Sequence, residues 1–315
     1  MARYLTVSAI GGRVPSVGAE PSTSAVVDAA VSYWKSRIAE VLPDRPDLIA
    51  LPEVCDRPEG IALDDRERLS RFVDERGDAV LEQLARIARE NRCYITYPAA
   101  RRASDGTLRN SIRLVDRAGE VAGVYDKNHL TIGEIEKGVV CGAEAPVIEC
   151  DFGRVGCAIC YDLNFDALRE RYVCSRPDLV IFSSMYHGGL MQRYWAYSCR
   201  AHFVAAIGAM GGYVLSPVGE TVAESTNYYD RVSARVNLDC EVVHLDYNWD
   251  GLRKARRKYG TKVKVFDPGL LGSVLISSET DEFGARDVVK EFGIELLDDY
   301  FARALEAQAA NRAAT

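Results

Sequence analysis

The chain has 315 residues, 48% of them hydrophobic, enough to bury a large core, and it fits one large domain better than two small ones. Its formal net charge of −7 argues against general nucleic-acid binding, which relies on clustered Lys and Arg to neutralise phosphates. There is no apolar run of about eighteen residues and no long apolar stretch after Met1-Ala2-Arg3-Tyr4-Leu5, so a soluble, cytoplasmic protein without membrane contact is expected.

Val26, Ala30, Trp34, Ile38 and Val41 recur at helical spacing, and Pro43 and Pro46 end that helix. The apolar strand Leu48-Ile49-Ala50-Leu51 follows and runs into Pro52-Glu53. The same alternation returns as a helix carrying Val80, Leu84, Ile87 and Ala88, then the strand Cys93 to Tyr97. Next, Ser111 to Val115 and Val121 to Tyr125 flank the turn residues Asp116-Arg117-Ala118-Gly119, a hairpin that delivers Lys127. A further apolar run from Val155 to Ile159 stops at Cys160-Tyr161-Asp162.

Arg176-Pro177-Asp178-Leu179 mirrors Arg45-Pro46-Asp47-Leu48, each placing Pro and Asp just before an apolar strand. This weak internal symmetry predicts two similar α/β halves whose sheets stack as a layered sandwich. A helix is expected from Leu190 to about His202, and a later strand from Val232 to Val236. Residues 1–247 would form the main domain. Residues 248–315 would form an extension packing on that domain or on an oligomer partner, with a strand at Ser273 to Ile276 and a helix near Phe292 to Ala309. The extension also carries the basic run Arg253-Lys254-Ala255-Arg256-Arg257-Lys258, read as a solvated face.

Nine cysteines without a repeated framework fit a reducing compartment better than a disulfide scaffold. The Cys157-x-x-Cys160 spacing lies in a strand, not at a helix start, which argues against a thioredoxin-like role. His129, His187, His202 and His244 show no ligand spacing, so no metal is expected. Taken singly, a free cysteine is usually a small buried hydrophobe and a lone Glu or Lys a solvated charge. Together, Glu53, Lys127 and Cys160 place a carboxylate, an amine and a thiol each at the end of its own apolar strand, a set that suits acyl-transfer chemistry on C–N bonds.

With these residues the chain resembles the nitrilase superfamily of carbon–nitrogen hydrolases over residues 4 to 245. The resemblance rests on Leu51-Pro52-Glu53, on Tyr125-Asp126-Lys127-Asn128-His129-Leu130 and on Gly156 to Phe165, with weaker support from Asn110-Ser111 and from Ser216-Pro217-Val218-Gly219-Glu220. It implies a four-layer αββα sandwich, a Glu-Lys-Cys triad, no cofactor, and homodimers or larger assemblies. The family's second glutamate falls at Glu136 or Glu134, of which Glu136 is preferred for its match to the family loop with Gly142. Two motifs depart from the family: Arg200-Ala201-His202-Phe203-Val204 lacks the usual Glu-Asn, and Phe165-Asp166-Ala167 replaces Phe-Pro-Glu.

On this reading Cys160 attacks, Glu53 is base and then acid, and Lys127 stabilises the oxyanion with the backbone N–H of Tyr161. Tyr161-Asp162 after the nucleophile resembles the amidase and carbamoylase branches, so the expected substrate is a small amide or N-carbamoyl compound. The alternatives are nitrile hydrolysis, acyl transfer on the same triad, or a degenerate fold serving as an assembly module. Met185, Tyr186, His187 and Trp195 are expected to line the substrate pocket, a surface with few fixed charges.

Overall fold

The computed structural model describes residues 1–313 apart from 19, 64 and 209. The strands are β1 (Tyr4–Ile10), β2 (Leu48–Ala50), β3 (Tyr94–Arg102), β4 (Leu108–Val115), β5 (Val121–Asp126), β6 (Ile148–Cys150), β7 (Gly153–Ile159), β8 (Leu179–Ser184), β9 (His202–Ile207), β10 (Gly211–Leu215), β11 (Thr221–Glu224), β12 (Arg231–Asn237), β13 (Cys240–His244), β14 (Val263–Phe266) and β15 (Ser273–Ser278). The helices are α1 (Thr23–Ala39), α2 (Arg66–Arg76), α3 (Ala79–Asn91), α4 (Ile132–Glu136), α5 (Asp166–Ser175), α6 (Leu190–Cys199), α7 (Trp249–Tyr259), α8 (Ala285–Glu291) and α9 (Leu297–Ala313).

The chain divides into two compact units, Leu5–Val236 and the segment from Asn237 onward together with Met1–Tyr4. The division falls upstream of the 247/248 boundary expected from sequence, because β13 pairs antiparallel with β15, Val242 opposite Leu275. In that smaller unit β13, β15 and β14 form one sheet, and Val243, Val274 and Ile276 pack against Leu252 and Ala255 of α7 and Val288 of α8. The basic run lies on α7, where Arg253, Lys254, Arg256, Arg257 and Lys258 are exposed and only Leu252 and Ala255 are buried.

The larger unit holds two six-stranded sheets in the orders β12-β1-β2-β3-β4-β5 and β11-β10-β9-β8-β7-β6. Each has a parallel centre, β1-β2-β3 and β7-β8-β9; β4 joins the first antiparallel to β3, and β6 and β10 flank the second antiparallel to β7 and β9. Strands buried on both faces are expected to be continuously apolar, and Leu48–Ala50 and Leu179–Phe182 have no exposed residue. The sheets meet face to face: the Ser183 hydroxyl donates to the Leu51 carbonyl at 2.8 Å, and Tyr125 OH donates to Asp162 at 2.6 Å.

Outside the first sheet, Trp34 and Ile38 of α1 and Leu84 and Ala88 of α3 pack with Ile10, Ile49 and Ile95. α1 begins where Ser22 accepts the Ala25 N–H, leaving Val26, Ala30, Trp34 and Ile38 on one buried stripe. Outside the second sheet, α5 and α6 bury Tyr172 and Trp195 with ring centroids 6.4 Å apart. The layers therefore run helix, sheet, sheet, helix, as expected.

The repeated Arg-Pro-Asp motif has the same structural job in both halves. Arg45 and Arg176 adopt left-handed backbone (φ 51 and 50), ending one element before the proline. Asp47 accepts the Thr6 N–H at 2.9 Å, and Asp178 accepts the Arg154 N–H at 2.8 Å, each tying a central strand to its parallel neighbour.

Two elements differ from the sequence reading. The helix after Gly189 stops at Cys199, because Arg200 turns left-handed (φ 53) and His202 already starts β9. α2 was not foreseen: its sequence is charge-rich, and it is helical because Asp65 caps it and Leu69, Phe72 and Val73 pack on Ala100 and Leu108. No helix among the described residues is long and apolar enough to cross a membrane.

Candidate active site

Glu53, Lys127 and Cys160 follow the ends of β2, β5 and β7, and the stacked sheets bring all three to one cavity of about 190 Å³. Asn110, Glu134, Arg57 and Lys137 share its lining. Lys127, 1% exposed, donates from Nζ to Glu53 Oε1 at 2.8 Å and to both oxygens of Glu134 at 2.9 and 3.1 Å. Asn110 Nδ2 bridges the same two carboxylates at 2.9 and 2.7 Å. Burial alone would drive this ammonium toward its neutral form. Glu53 and Glu134 overcome that, and the Lys127 pKa is raised. Burial would likewise raise Glu134, but Lys127 and the hydrogen bonds from Thr131 and Asn110 hold it below the usual carboxylate range.

Glu134, not the preferred Glu136, is the second glutamate of the site. Thr131 opens α4 in a capping box: its hydroxyl accepts the Glu134 N–H, and the Thr131 N–H donates to Glu134 Oε2 at 2.9 Å. That reciprocal bond turns Glu134 inward onto Lys127, whereas Glu136, at the end of the same short helix, is exposed. Gly142 permits the close return of this loop. Its N–H donates to the Lys127 carbonyl at 2.8 Å, and an added Cβ would lie 2.2 Å from the Asp126 carbonyl oxygen.

Cys160 sits on a sharp turn immediately after β7 with φ 47, a conformation that costs a non-glycine residue energy. Val54, next to Glu53, is also left-handed (φ 49), an outlier for a β-branched side chain. Burial pushes the Cys160 thiol up to about 11 and the Glu53 charge adds to this; Lys127, the Met185 backbone and the Ser184 side chain oppose it. The resting residue is therefore a thiol at neutral pH, not the thiolate. Cys157 is fully buried, its thiol raised by desolvation and its backbone tied to Tyr172 OH, so it is no competitor.

Asp162, whose role the sequence did not reveal, fixes the nucleophile turn to the opposing sheet. Fully buried, it accepts from Ile159 N (2.9 Å), Tyr125 OH (2.6 Å) and His129 N (2.8 Å), so one carboxylate joins the strand before Cys160 to both sides of Lys127.

The expected pocket residues separate. Met185 lines an adjoining cavity of about 220 Å³ with Pro52, Glu53, Val54 and Arg57. Tyr186 lies close enough to Cys160 to feel its charge, and its phenol, raised to about 12 chiefly by burial, accepts from Asn164 Nδ2 at 3.2 Å. His187 instead braces the loop, its Nδ1 accepting the Gly189 N–H while its ring packs edge-on against Tyr213. Trp195 is not a pocket residue. It is fully buried and its indole N–H donates to the Leu163 carbonyl, so its bulk belongs to the core. The Tyr161 ring is exposed and edge-on to Phe165; its backbone follows the strained Cys160 turn. Among the described residues no group of three His, Cys, Asp or Glu side chains is placed to hold a metal ion.

The chain is similar to known hydrolases. A hydrolase named for the pqqF 5'region of Pseudomonas protegens is 27% identical over 137 residues, 43% of this chain and 47% of that protein. The chain thus spans about half the length of that relative. The omega-amidase of Xenopus tropicalis is 23% identical over 227 residues, covering 64% of this chain and 80% of the relative. The fold matches the crystal structure of Saccharomyces cerevisiae Nit3, a member of branch 10 of the nitrilase superfamily, with a TM-score of 0.61 at 16% identity, covering 82% of this chain and 95% of that one. The carbon-nitrogen hydrolase family model matches residues 13–227, from the strand pairing beside Glu53 to beyond the Cys160 loop, and the chain belongs to that family.

Proposed function

We propose that the protein hydrolyses a non-peptide C–N bond of a small amide or N-carbamoyl compound through a thioester on Cys160. The observation that carries this reading is the convergence of Glu53, Lys127, Glu134 and Cys160 on one cavity, with the ammonium clamped between two carboxylates. A clamped, permanently charged Lys127 cannot act as base. It is a fixed donor for an oxygen that becomes negative, and the Tyr161 backbone N–H is assigned the second donor. Glu53 is then the group left to move protons.

In acylation the Cys160 proton passes to Glu53 as sulfur bonds to the carbonyl carbon. The tetrahedral oxyanion forms beside Lys127, then the C–N bond breaks and Glu53 returns its proton to the leaving nitrogen. In deacylation water attacks the thioester, Glu53 takes a proton from it, the C–S bond breaks, and the thiolate recovers the proton from Glu53. Acid and ammonia or amine leave. Burial and the Glu53 charge raise the Cys160 thiol, so its proton has to be taken by Glu53 for the sulfur to attack.

The similarity to an omega-amidase favours amides over nitriles. A screen of primary amides, N-carbamoyl amino acids and nitriles for released ammonia tests the reading: turnover of an amide or carbamoyl compound that is lost in Cys160→Ala supports it, and turnover of nitriles alone overturns it.

A further inference from the structure

Arg57 lines the cavity, and the chemistry above gives it no part. It follows Glu53 on the same turn, where its N–H donates to the Val54 carbonyl at 3.1 Å and the next two residues are held to Val14 by a β-bridge and by the Glu59 N–H. Its side chain borders both cavities, the one holding Cys160 and the one holding Met185.

Among the described residues the guanidinium's ion-pair partner is Asp56, which also pairs with Arg76. Asp56, the nearest carboxylate, is fully buried and spends one oxygen on Arg76. Its other oxygen lies 3.8 Å from Arg57 Nε, too far for a hydrogen bond. Arg57 Nε is buried with no hydrogen-bond partner among the described residues. The carboxylates of the Cys160 lining are committed elsewhere: Glu53 to Lys127 and Asn110, and Glu134 to Lys127, Asn110 and Thr131. On the Cys160 lining, two carboxylates thus face three cations, Arg57, Lys127 and Lys137. A partly buried guanidinium that makes no hydrogen bond to its carboxylate is costly, and its planar fork suits a second, closer carboxylate.

We propose that Arg57 is the substrate's anion anchor, so that the enzyme acts on small amides or carbamoyl compounds bearing a carboxylate away from the scissile bond. This replaces the neutral pocket expected from Met185, Tyr186, His187 and Trp195, and it rests on the hydrolase reading above.

The test compares succinamate with its neutral counterpart succinamide in the wild type, Arg57→Gln and Arg57→Lys. The wild type should prefer succinamate by about tenfold or more in kcat/KM. Arg57→Gln should remove that preference mainly through KM, cost succinamate at least about tenfold more than succinamide, and be partly rescued in Arg57→Lys. Equal use of both amides by the wild type, or an equal loss for both in Arg57→Gln, overturns the anchor. A turnover-free arm separates the two readings: succinate should slow alkylation of Cys160 by iodoacetamide in the wild type but not in Arg57→Gln. No protection of the wild type overturns the anchor even if amides are hydrolysed. Protection without hydrolysis of any amide retains the anchor and removes the amidase reading.

Discussion

In both large sheets a left-handed arginine, a proline and an aspartate lead into a central strand, and the aspartate binds the backbone of the parallel neighbour, Thr6 in one and Arg154 in the other. At the opposite strand ends the likeness stops. The first sheet supplies Glu53, Asn110 and Lys127, a polar set in which the carboxylate accepts from both the amide and the ammonium. The second supplies Cys160, Ser184 and Met185, an uncharged set in which the thiol is held protonated by burial and by the charge across the cleft. Architecture is shared between the halves, whereas chemistry arises only from their apposition. Asp162 spans that junction, because its hydrogen bonds reach both Ile159 and the Tyr125–His129 segment.

The largest effect should come from the second half. Cys160→Ala should lower kcat by about 10⁴-fold or more with an unchanged circular dichroism spectrum, since the proposed mechanism gives the thiol the covalent bond and little packing. If most activity survived, the nucleophile would lie elsewhere. In the first half, Lys127→Gln should lower kcat by at least about a hundredfold, the usual result of losing one oxyanion donor, with KM changing less. A raised KM at constant kcat would make Lys127 a substrate anchor instead.

The two glutamates of α4 sharpen the contrast within one turn of helix. Glu134→Gln weakens the clamp on Lys127 and should cost about tenfold in kcat, the equivalent of one charge-assisted hydrogen bond. Glu136→Gln, which is exposed, should stay within about twofold; the reverse pattern in steady-state rates would restore the family-loop match as the better guide.

The smallest effect on rate belongs to the shared device. Asp47→Ala and Asp178→Ala should each lower stability by about 1–3 kcal/mol in urea unfolding while leaving kcat within a few-fold. A large loss of kcat at unchanged stability in either variant would show that the device tunes the site directly.

The strands and the meeting of Glu53, Lys127 and Cys160 in one cavity were legible because strand ends are marked by abrupt changes from apolar to polar residues, and the mirrored Arg-Pro-Asp segments announced two stacked halves. What sequence could not deliver depends on direction. Glu134 and Glu136 differ in which way a five-residue helix turns them. The capping-box spacing Thr131-x-x-Glu134 was the available signal, outweighed by a family match. Trp195 looked like a pocket aromatic because periodicity does not reveal which face a short helix buries. The structural role of Asp162 and the place of Arg57 in the cavity lining went unseen for a related reason: both depend on residues far along the chain, which local composition does not record.

The most direct measurement is peptide mass spectrometry of enzyme acid-quenched during turnover of a hydrolysed amide. The account predicts the mass of the substrate's acyl group on Cys160, absent from Cys157 and lost in Cys160→Ala. Turnover that proceeds with no acyl group on any cysteine, or with the adduct on another cysteine, would contradict it.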